Sequence, residues 1–230
     1  MPEAVFKRTP GRGRFISFEG GEGSGKSTQI KMLAERLEAA KVRTLITREP
    51  GGSPGAEIIR HLVLSGMGKL LGADAETLLF AAARDDHVRT IISPALGQGS
   101  WVLCDRFSDS TRVYQGRLGH VAPELLNAME RVTIGDLKPD LTFILDVPVE
   151  VGLKRAKARR GSAMPDRFES EDLQFHRELR EGYREIASAE PERCVLIDAT
   201  ADANVVSLTI WKILRDRLFA ASAPSVASPA

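Results

Sequence analysis

The chain has 230 residues, of which 43% are hydrophobic and 27% are charged, and this length favours a single α/β domain with excursions. Its 32 basic and 31 acidic residues nearly cancel, so neither a nucleic acid nor a membrane surface is expected as a partner. Cys104 and Cys194 show no metal-type spacing and no apolar run is long enough to cross a bilayer, so we expect a cytoplasmic protein without disulfide or zinc site.

The first predicted strand, Phe15–Glu19, leads directly into a complete P-loop, Gly20-x-x-x-x-Gly25-Lys26-Ser27. Glycines let backbone N–H groups surround phosphate oxygens, the lysine supplies a point charge, and the hydroxyl of Ser27 binds Mg²⁺. A glycine-rich turn without function is the alternative, but a strand before it and a helix after it favour a phosphate site. The predicted ATP-binding residues are Gly20, Gly21, Glu22, Gly23, Ser24, Gly25, Lys26, Ser27 and Thr28.

Short apolar runs then alternate with helical patterns along the chain. The predicted strands are 15–19, 44–47, 101–104, 141–146 and 194–197, and the predicted helices are 26–40, 54–64, 74–96, 123–134, 149–160, 171–187 and 202–218. This alternation predicts an α/β fold of the three-layer P-loop NTPase type, with a five-stranded parallel sheet flanked by helices. We expect one domain at 14–219, a basic, disordered arm at 1–13 and a disordered tail at 220–230.

Arginines follow two of the predicted strands. Arg48 and Arg106 come directly after strand ends, and Arg60 lies about two turns into the next helix. A single arginine is usually solvated, but two at the edge where α/β sites lie indicate a second phosphate beside the P-loop. Asp105 resembles the acid that holds Mg²⁺ in P-loop enzymes, with an ion pair to its neighbour Arg106 as the alternative.

A basic segment precedes an abrupt break in the helical pattern. Lys154, Arg155, Lys157, Arg159 and Arg160 are followed by Gly-Ser-Ala-Met-Pro and then by Asp-Arg-Phe-Glu. A solvated basic helix face is one interpretation. The interruption favours the other, a short lid at about 158–170 that closes arginines over a transferring phosphoryl group.

Six segments together resemble the bacterial thymidylate kinases, which are nucleoside monophosphate kinases. They are FEGGEGSGKST, TREPGG, LLFAAARDDH, CDRFSDSTRVYQG, KPDLTFILDVPVEVGLKRA and DRFE, and the resemblance covers nearly everything from about residue 14 to 218. The resemblance implies a kinase that phosphorylates dTMP to dTDP with ATP and Mg²⁺, a step of dTTP synthesis by both the de novo and the salvage route. It also implies a homodimer.

The resemblance assigns roles to an acceptor site. Phe80 stacks on thymine, Arg84 donates to its O4 atom, Thr111 and Gln115 contact the polar edge of the base, and Tyr114 lies beneath the sugar, where it excludes a ribose. Phe80 as a core residue and Tyr114 as a cap on the core are the alternatives. The implied dTMP-binding residues are Arg48, Glu49, Arg60, Phe80, Arg84, Arg106, Thr111, Tyr114 and Gln115.

The catalytic set combines the P-loop with the lid. Some members of the family carry an arginine directly after the residue that corresponds to Glu22, where this chain has Gly23. The missing charge is then expected from the lid, with Arg159 and Arg160 preferred over Arg155 and Arg167. The implied catalytic residues are Glu22, Lys26, Arg106, Arg159 and Arg160, and Ser27 and Asp105 are the expected metal ligands.

No general base is expected, because the acceptor phosphate, with a second pKa of about 6, is already ionised. The four histidines are given no role. Phe107 stands where the family often has tyrosine, which removes any contact from that hydroxyl. The competing hypotheses are a small P-loop kinase with another acceptor, and a nucleotide-dependent switch.

Overall fold

The computed structural model of the chain describes residues 12–162, 164 and 167–219. Five strands form one parallel sheet in the order β2-β3-β1-β4-β5. They are Phe15–Glu19 (β1), Thr44–Arg48 (β2), Trp101–Asp105 (β3), Leu141–Asp146 (β4) and Cys194–Asp198 (β5). The register places Arg48 opposite Asp105 and Phe18 opposite Asp105 on the other side of β3. The carboxyl ends of the three strands that precede the predicted site residues therefore meet at one edge.

The helices lie between the strands and cover both faces of the sheet. They are Lys26–Ala39 (α1), Pro54–Leu64 (α2), Ala73–His87 (α3), Ser93–Gly97 (α4), Ser108–Thr111 (α5), Pro123–Thr133 (α6), Val149–Arg160 (α7), Leu173–Ala189 (α8) and Ala203–Leu214 (α9). A 3₁₀ helix spans Met67–Leu71, and π-helical turns span Val88–Ile92, Arg112–Leu118 and Arg215–Phe219.

The sheet is buried on both faces. On one face Phe18 and Phe143 pack with α1 and α9, and on the other Phe15 and Phe107 pack with the segment that contains Ile92. The one polar pair in the middle of β1 and β4 is satisfied, since the hydroxyls of Ser17 and Thr142 lie 2.7 Å apart. Because both faces are buried, each strand is an apolar run. The close packing of this core holds the strand ends, and the residues that follow them, in fixed positions.

The strands agree with the predicted ones to within one residue, and several helical regions differ. The 3₁₀ helix Met67–Leu71 was not predicted, and the helix predicted at 202–218 is α-helical only to Leu214. The predicted helix 74–96 is interrupted by the π-helical turn Val88–Ile92, just before Pro94, which lacks an N–H and cannot continue a regular helix. Residues 108–118, for which no strand or helix was predicted, are helical. The helix predicted from 171 begins at Leu173, because the Asp172 carboxylate accepts from the Phe175 N–H at 2.8 Å.

The predicted arm and tail lie outside the described residues, except Arg12 and Gly13. Gly13 is buried and its N–H donates to the Leu96 carbonyl at 2.8 Å. Among the helices of the described segments, none combines the length and the apolar character that crossing a membrane requires.

Candidate functional site

A cavity of about 340 Å³ opens beyond the carboxyl ends of β1, β2 and β3. Its wall contains the P-loop on one side and residues of α2, α3 and the segment 105–115 on the other. The predicted site residues that line it are Glu22, Gly23, Ser24, Gly25, Lys26, Ser27, Arg48, Glu49, Arg60, Phe80, Arg84, Asp105, Arg106, Thr111, Tyr114, Gln115 and Arg159. Of the predicted residues, Gly20, Gly21, Thr28 and Arg160 are not part of this wall.

The P-loop encloses the lysine side chain. Gly25 has a φ of 96° and stands before the first residue of α1, so the N-terminus of the helix faces the cavity. The Lys26 ammonium donates to the carbonyls of Gly20 at 3.1 Å and Gly21 at 3.0 Å. Burial lowers the pKa of Lys26, and the nearby Arg106 guanidinium lowers it further. An anion in the loop would therefore gain a desolvated positive charge as its partner.

Gly23 packs against the helix that leads into the lid. A Cβ at this position would lie 2.0 Å from the carbonyl oxygen of Gly152 in α7, and the φ of +65° also disfavours a side chain. No arginine fits at residue 23 unless α7 moves away. Position 23 therefore cannot supply a positive charge in this structure, and the charge that the sequence predicts from the lid stays a prediction.

Ser27 and Asp105, the two expected metal ligands, lie in hydrogen-bond contact. The Ser27 hydroxyl donates to Asp105 Oδ2 at 2.8 Å, although the two residues are 78 positions apart in the chain. The described residues contain no cluster of three or more His, Cys, Asp or Glu side chains of the kind that holds a metal without other ligands. One hydroxyl and one carboxylate fit Mg²⁺, which takes most of its ligands from water and substrate phosphates.

Arg106 lies between the P-loop and the rest of the cavity in a left-handed conformation, with a φ of 70°. Its guanidinium donates to Glu22 at 2.7 Å, to the Gly20 carbonyl at 3.1 Å and to the Tyr183 hydroxyl at 3.0 Å. Burial alone would raise the pKa of Glu22, but the charges of Arg106 and Lys26 outweigh it and lower that pKa. The left-handed turn directs this guanidinium towards the phosphate-binding loop.

The side chain that holds this turn is Glu19, which the sequence predicts only as the last residue of a strand. Its carboxylate accepts from the Phe107 N–H at 2.7 Å, the Ser110 hydroxyl at 2.7 Å and the Tyr183 hydroxyl at 3.1 Å. Burial, reinforced by the charge of Asp109, raises the pKa of Glu19 to about 7. An acid at the end of an otherwise apolar strand was the signal in the sequence.

The far end of the cavity is formed by α3 and the segment 108–118. Phe80 is almost buried on α3, and Arg84, one turn later, donates to Glu49 at 2.8 Å and to the Thr111 hydroxyl at 2.9 Å. Burial would raise the pKa of Glu49, but the Arg84 guanidinium and a hydrogen bond from His87 lower it. The result is an aromatic face beside a set of fixed polar groups, as a planar base requires.

Arg48 and Arg60 lie between these two ends, on either side of the loop after β2. Arg48 donates to Glu57 at 2.8 Å and is about half exposed. Arg60 donates to the Pro50 carbonyl at 2.6 Å, and the peptide bond before Pro50 is cis. Together with Arg106, both side chains line the cavity within one arginine-rich region.

The predicted lid folds over the cavity from the end of α7. Arg159 lines the cavity and lies 3.5 Å from Glu169, whereas Arg160 pairs with Glu169 and lies outside the wall. Arg167 donates to Glu76 of α3 at 2.6 Å, and its neighbour Phe168 meets Tyr114 edge-on at 5.0 Å. Of the lid, residues 163, 165 and 166 are outside the described part of the chain.

Six lining residues had been given no definite role from the sequence. They are Pro50, Leu64, Phe107, Ser110, Phe168 and Glu169. Glu169 and Phe168 belong to the predicted lid, and Pro50 and Phe107 are neighbours of predicted residues. Leu64 and Ser110 carried no pattern of their own, since an apolar helix residue and a serine in a polar run are common everywhere.

A lysine-containing loop and three arginines, Arg48, Arg60 and Arg106, line the same cavity. This arrangement on a parallel sheet defines the class of the P-loop nucleotide phosphotransferases. The family model described as thymidylate kinase matches residues 18–210. The chain belongs to the thymidylate kinase family.

Individual relatives agree over nearly the full length. A thymidylate kinase of Bradyrhizobium sp. (strain ORS 278) is 74% identical over 223 residues, which cover 97% of this chain and 99% of that protein. One of Nitrobacter winogradskyi is 72% identical over 230 residues, the whole of both chains. The crystal structure of thymidylate kinase from Ehrlichia chaffeensis matches with a TM-score of 0.71 and 34% identity, covering 89% of this chain and 100% of that one. The predicted family, fold class and enzyme class are confirmed.

Proposed function

We propose that the chain transfers the γ-phosphoryl group of ATP to dTMP, which yields ADP and dTDP and serves dTTP synthesis by the de novo and salvage routes. One observation carries the proposal: all nine residues predicted for the acceptor line the same cavity as Lys26 and Ser27 of the P-loop. Membership in the thymidylate kinase family supports the same reaction.

The acceptor phosphate is the nucleophile. Its second pKa is about 6, so at neutral pH it attacks without a general base. Catalysis then depends on alignment and on stabilisation of charge on the transferring group. In the proposed complex, phosphate oxygens of ATP replace the carbonyls of Gly20 and Gly21 as partners of Lys26. Arg106, which already contacts the P-loop, contacts both reacting phosphates.

Ser27 and Asp105 are the proposed ligands of Mg²⁺. Their oxygens lie 2.8 Å apart beside the P-loop, which supports the proposal because one ion could contact both. When bound, Mg²⁺ neutralises charge on the β- and γ-phosphates. The remaining cations come from the protein. Arg159 of the lid lines the cavity and is the proposed charge opposite Gly23, while Arg160 holds Glu169 in the closed lid.

The base is recognised by α3 and the segment 108–118. We place thymine against Phe80, with Arg84 as donor to its O4 atom and Thr111 and Gln115 at its polar edge. Tyr114 lies beneath the sugar and is fixed by Phe168 at 5.0 Å and by the Arg106 guanidinium, 5.2 Å from the ring centre. A ring held from two sides cannot move aside for a 2′-hydroxyl, which supports the preference for a deoxynucleotide.

A coupled assay of ADP release across dTMP, dUMP, dCMP, dGMP and UMP tests the proposed function. We expect the highest kcat/KM with dTMP. A preference for a purine would point to a different small P-loop kinase. Slow ATP hydrolysis that no monophosphate accelerates would point to a nucleotide-dependent switch.

A homodimer is proposed on the outer surface of α2, α3 and α6, where α3 packs between the other two helices. Each helix exposes a large apolar side chain there, namely Ile58, Leu78 and Val132. Light scattering should give twice the chain mass of 25.1 kDa. Val132→Glu should give a monomer, and Leu208→Glu, which alters a similarly exposed residue on α9, should stay dimeric. A monomeric wild-type protein would refute the dimer.

A cytoplasmic location is proposed as well. Both cysteines are free and buried, which is usual for proteins of a reducing compartment. Cell fractionation tests this location, and recovery in a periplasmic fraction would contradict it.

A further inference from the structure

We infer that His87 is a positioning residue for base selectivity, acting through Glu49 on Arg84. The inference rests on the proposed function, in which Arg84 contacts the base. His87 is the last residue of α3, and its side chain is completely buried. It is not itself one of the residues that line the cavity, but it contacts Glu49, which is.

The imidazole of His87 joins α3 to the loop after β2. Its Nδ1 atom lies 3.1 Å from Glu49 Oε1, and its Nε2 atom lies 2.6 Å from the Thr47 hydroxyl. An ionised carboxylate can only accept, so the Nδ1 N–H is the donor to Glu49. The tautomer is thereby set by a residue of the acceptor site.

Glu49 is held on both of its oxygens. Oε2 accepts from Arg84 Nε at 2.8 Å, while Oε1 accepts from His87. The guanidinium is also held by its Nη2 atom, which donates to Thr111 at 2.9 Å and to the Phe107 carbonyl at 3.3 Å. Within the described part of the chain, Arg84 Nη1 has no hydrogen-bond partner. The network therefore leaves the Nη1 amino group of this cavity-lining residue to donate to a ligand.

The ring of His87 also packs tightly against the loop after β2 at Gly52. A Cβ at Gly52 would lie 2.5 Å from His87 Nε2 and 2.5 Å from the Thr47 hydroxyl. The loop backbone is thus packed on the hydrogen bond between these two side chains. Two functions of His87 can be separated: the Nδ1 donor orients Glu49, and the Nε2 end supports the loop.

The expected consequence concerns the choice between thymine and cytosine. Thymine presents a carbonyl acceptor at position 4 and cytosine an amino donor. In the proposed complex, position 4 of the base faces a donor from Arg84, while each carboxylate oxygen of Glu49 already accepts one hydrogen bond. Without the Nδ1 donor, Glu49 gains an unoccupied acceptor oxygen in the cavity wall, which suits the amino group of dCMP.

Two substitutions test the two ends of the ring separately. His87→Asn places an amide N–H near the position of Nδ1 and keeps the donor to Glu49. His87→Gln reaches the position of Nε2, keeps a partner for Thr47 and loses that donor. Both replace the ring by an amide, and the asparagine variant, which loses one methylene more, is the one expected to keep the selectivity, so lost volume alone predicts the opposite order. kcat and KM are measured for dTMP and dCMP with each protein.

For His87→Gln we expect the kcat/KM ratio of dTMP to dCMP to fall by about tenfold or more, mainly through a higher KM for dTMP. For His87→Asn we expect a ratio close to that of the wild type. Equal ratios in the two variants would overturn the inference and leave His87 as a packing residue. If the wild type itself fails to phosphorylate dTMP, the proposed function has failed, which is a different result.

A measurement on the wild type covers the case in which either variant is unstable. Histidine labelled with ¹⁵N reports which ring nitrogen carries the proton. We expect His87 Nδ1 to be protonated with and without dTMP, and its signal to shift in Glu49→Gln. An unprotonated Nδ1 would overturn the inference.

Discussion

Two substitutions of Arg106 separate the backbone strain at this residue from the contribution of its guanidinium to catalysis. Its φ of 70° costs a residue with a Cβ about 1–2 kcal/mol relative to the right-handed region. Arg106→Gly removes this cost, and the greater freedom of glycine in the unfolded chain offsets about 0.4–1 kcal/mol of the gain. Arg106→Ala keeps the cost. Both variants lose the pairing with Glu22, so that loss cancels in the comparison. We expect the glycine variant to be more stable by about 1 kcal/mol.

Urea unfolding gives the two stabilities, and the coupled ADP-release assay gives the activities. Loss of the guanidinium should lower kcat/KM by about 10³-fold or more in both variants, so the more stable one is equally inactive. Arg89→Ala, at an exposed position of the turn Val88–Ile92, serves as the control and should behave as the wild type. An alanine variant at least as stable as the glycine variant would refute the strain. Activity within tenfold of the wild type, about 1.4 kcal/mol, would refute the role in the clamp.

Three further predictions concern single side chains. Lys26→Ala should lower kcat by about 10²-fold or more in the same assay, and a near-normal rate would refute the P-loop assignment. Tyr114→Ala should reduce the discrimination between dTMP and its ribose counterpart, measured as a ratio of kcat/KM; an unchanged ratio would remove the steric explanation. Glu19 has a pKa of about 7 in the folded chain against an ordinary 4.5, so its contribution to stability is full below pH 4.5 and is lost as the pH rises to 7. Glu19→Gln cannot ionise and should not show this loss. Between pH 5 and pH 8 the free energy of unfolding in urea should therefore fall by up to about 3 kcal/mol more in the wild type than in the variant. The same fall in both proteins would refute the raised pKa.

The sequence predicts the sheet and the P-loop well because their signals are local. Each strand is a short apolar run, and the loop between β1 and α1 requires fixed residue types at fixed spacing. The arginines after β2 and β3 were found by the same reasoning, since parallel strands end at one edge. These features need no knowledge of which distant residues meet.

The segment 108–118 could not be predicted because its helix depends on distant partners. Ser110 donates to Glu19, and Asp109 accepts from Arg193 at 2.7 Å, across 91 and 84 positions of the chain. Its sequence, SDSTRVYQGRL, has no apolar periodicity that would indicate a helix. Tertiary contacts therefore decide its conformation.

The distinction between Arg159 and Arg160 also lies beyond the sequence. Adjacent residues of a helix point about 100° apart, so only one of them can face the cavity. The structure turns Arg159 towards it and Arg160 towards Glu169. The sequence does not indicate a role for His87 for a similar reason, because its partners Glu49 and Thr47 precede it by 38 and 40 positions.

A crystal structure with dTMP and ADP tests the central claim most directly, that one cavity holds an acceptor nucleotide opposite the P-loop. We expect the thymine ring against Phe80 with its O4 atom at Arg84, and the phosphate in contact with Arg48, Arg60 and Arg106. Density for dTMP at another surface, or none in this cavity at a saturating concentration, would contradict the account.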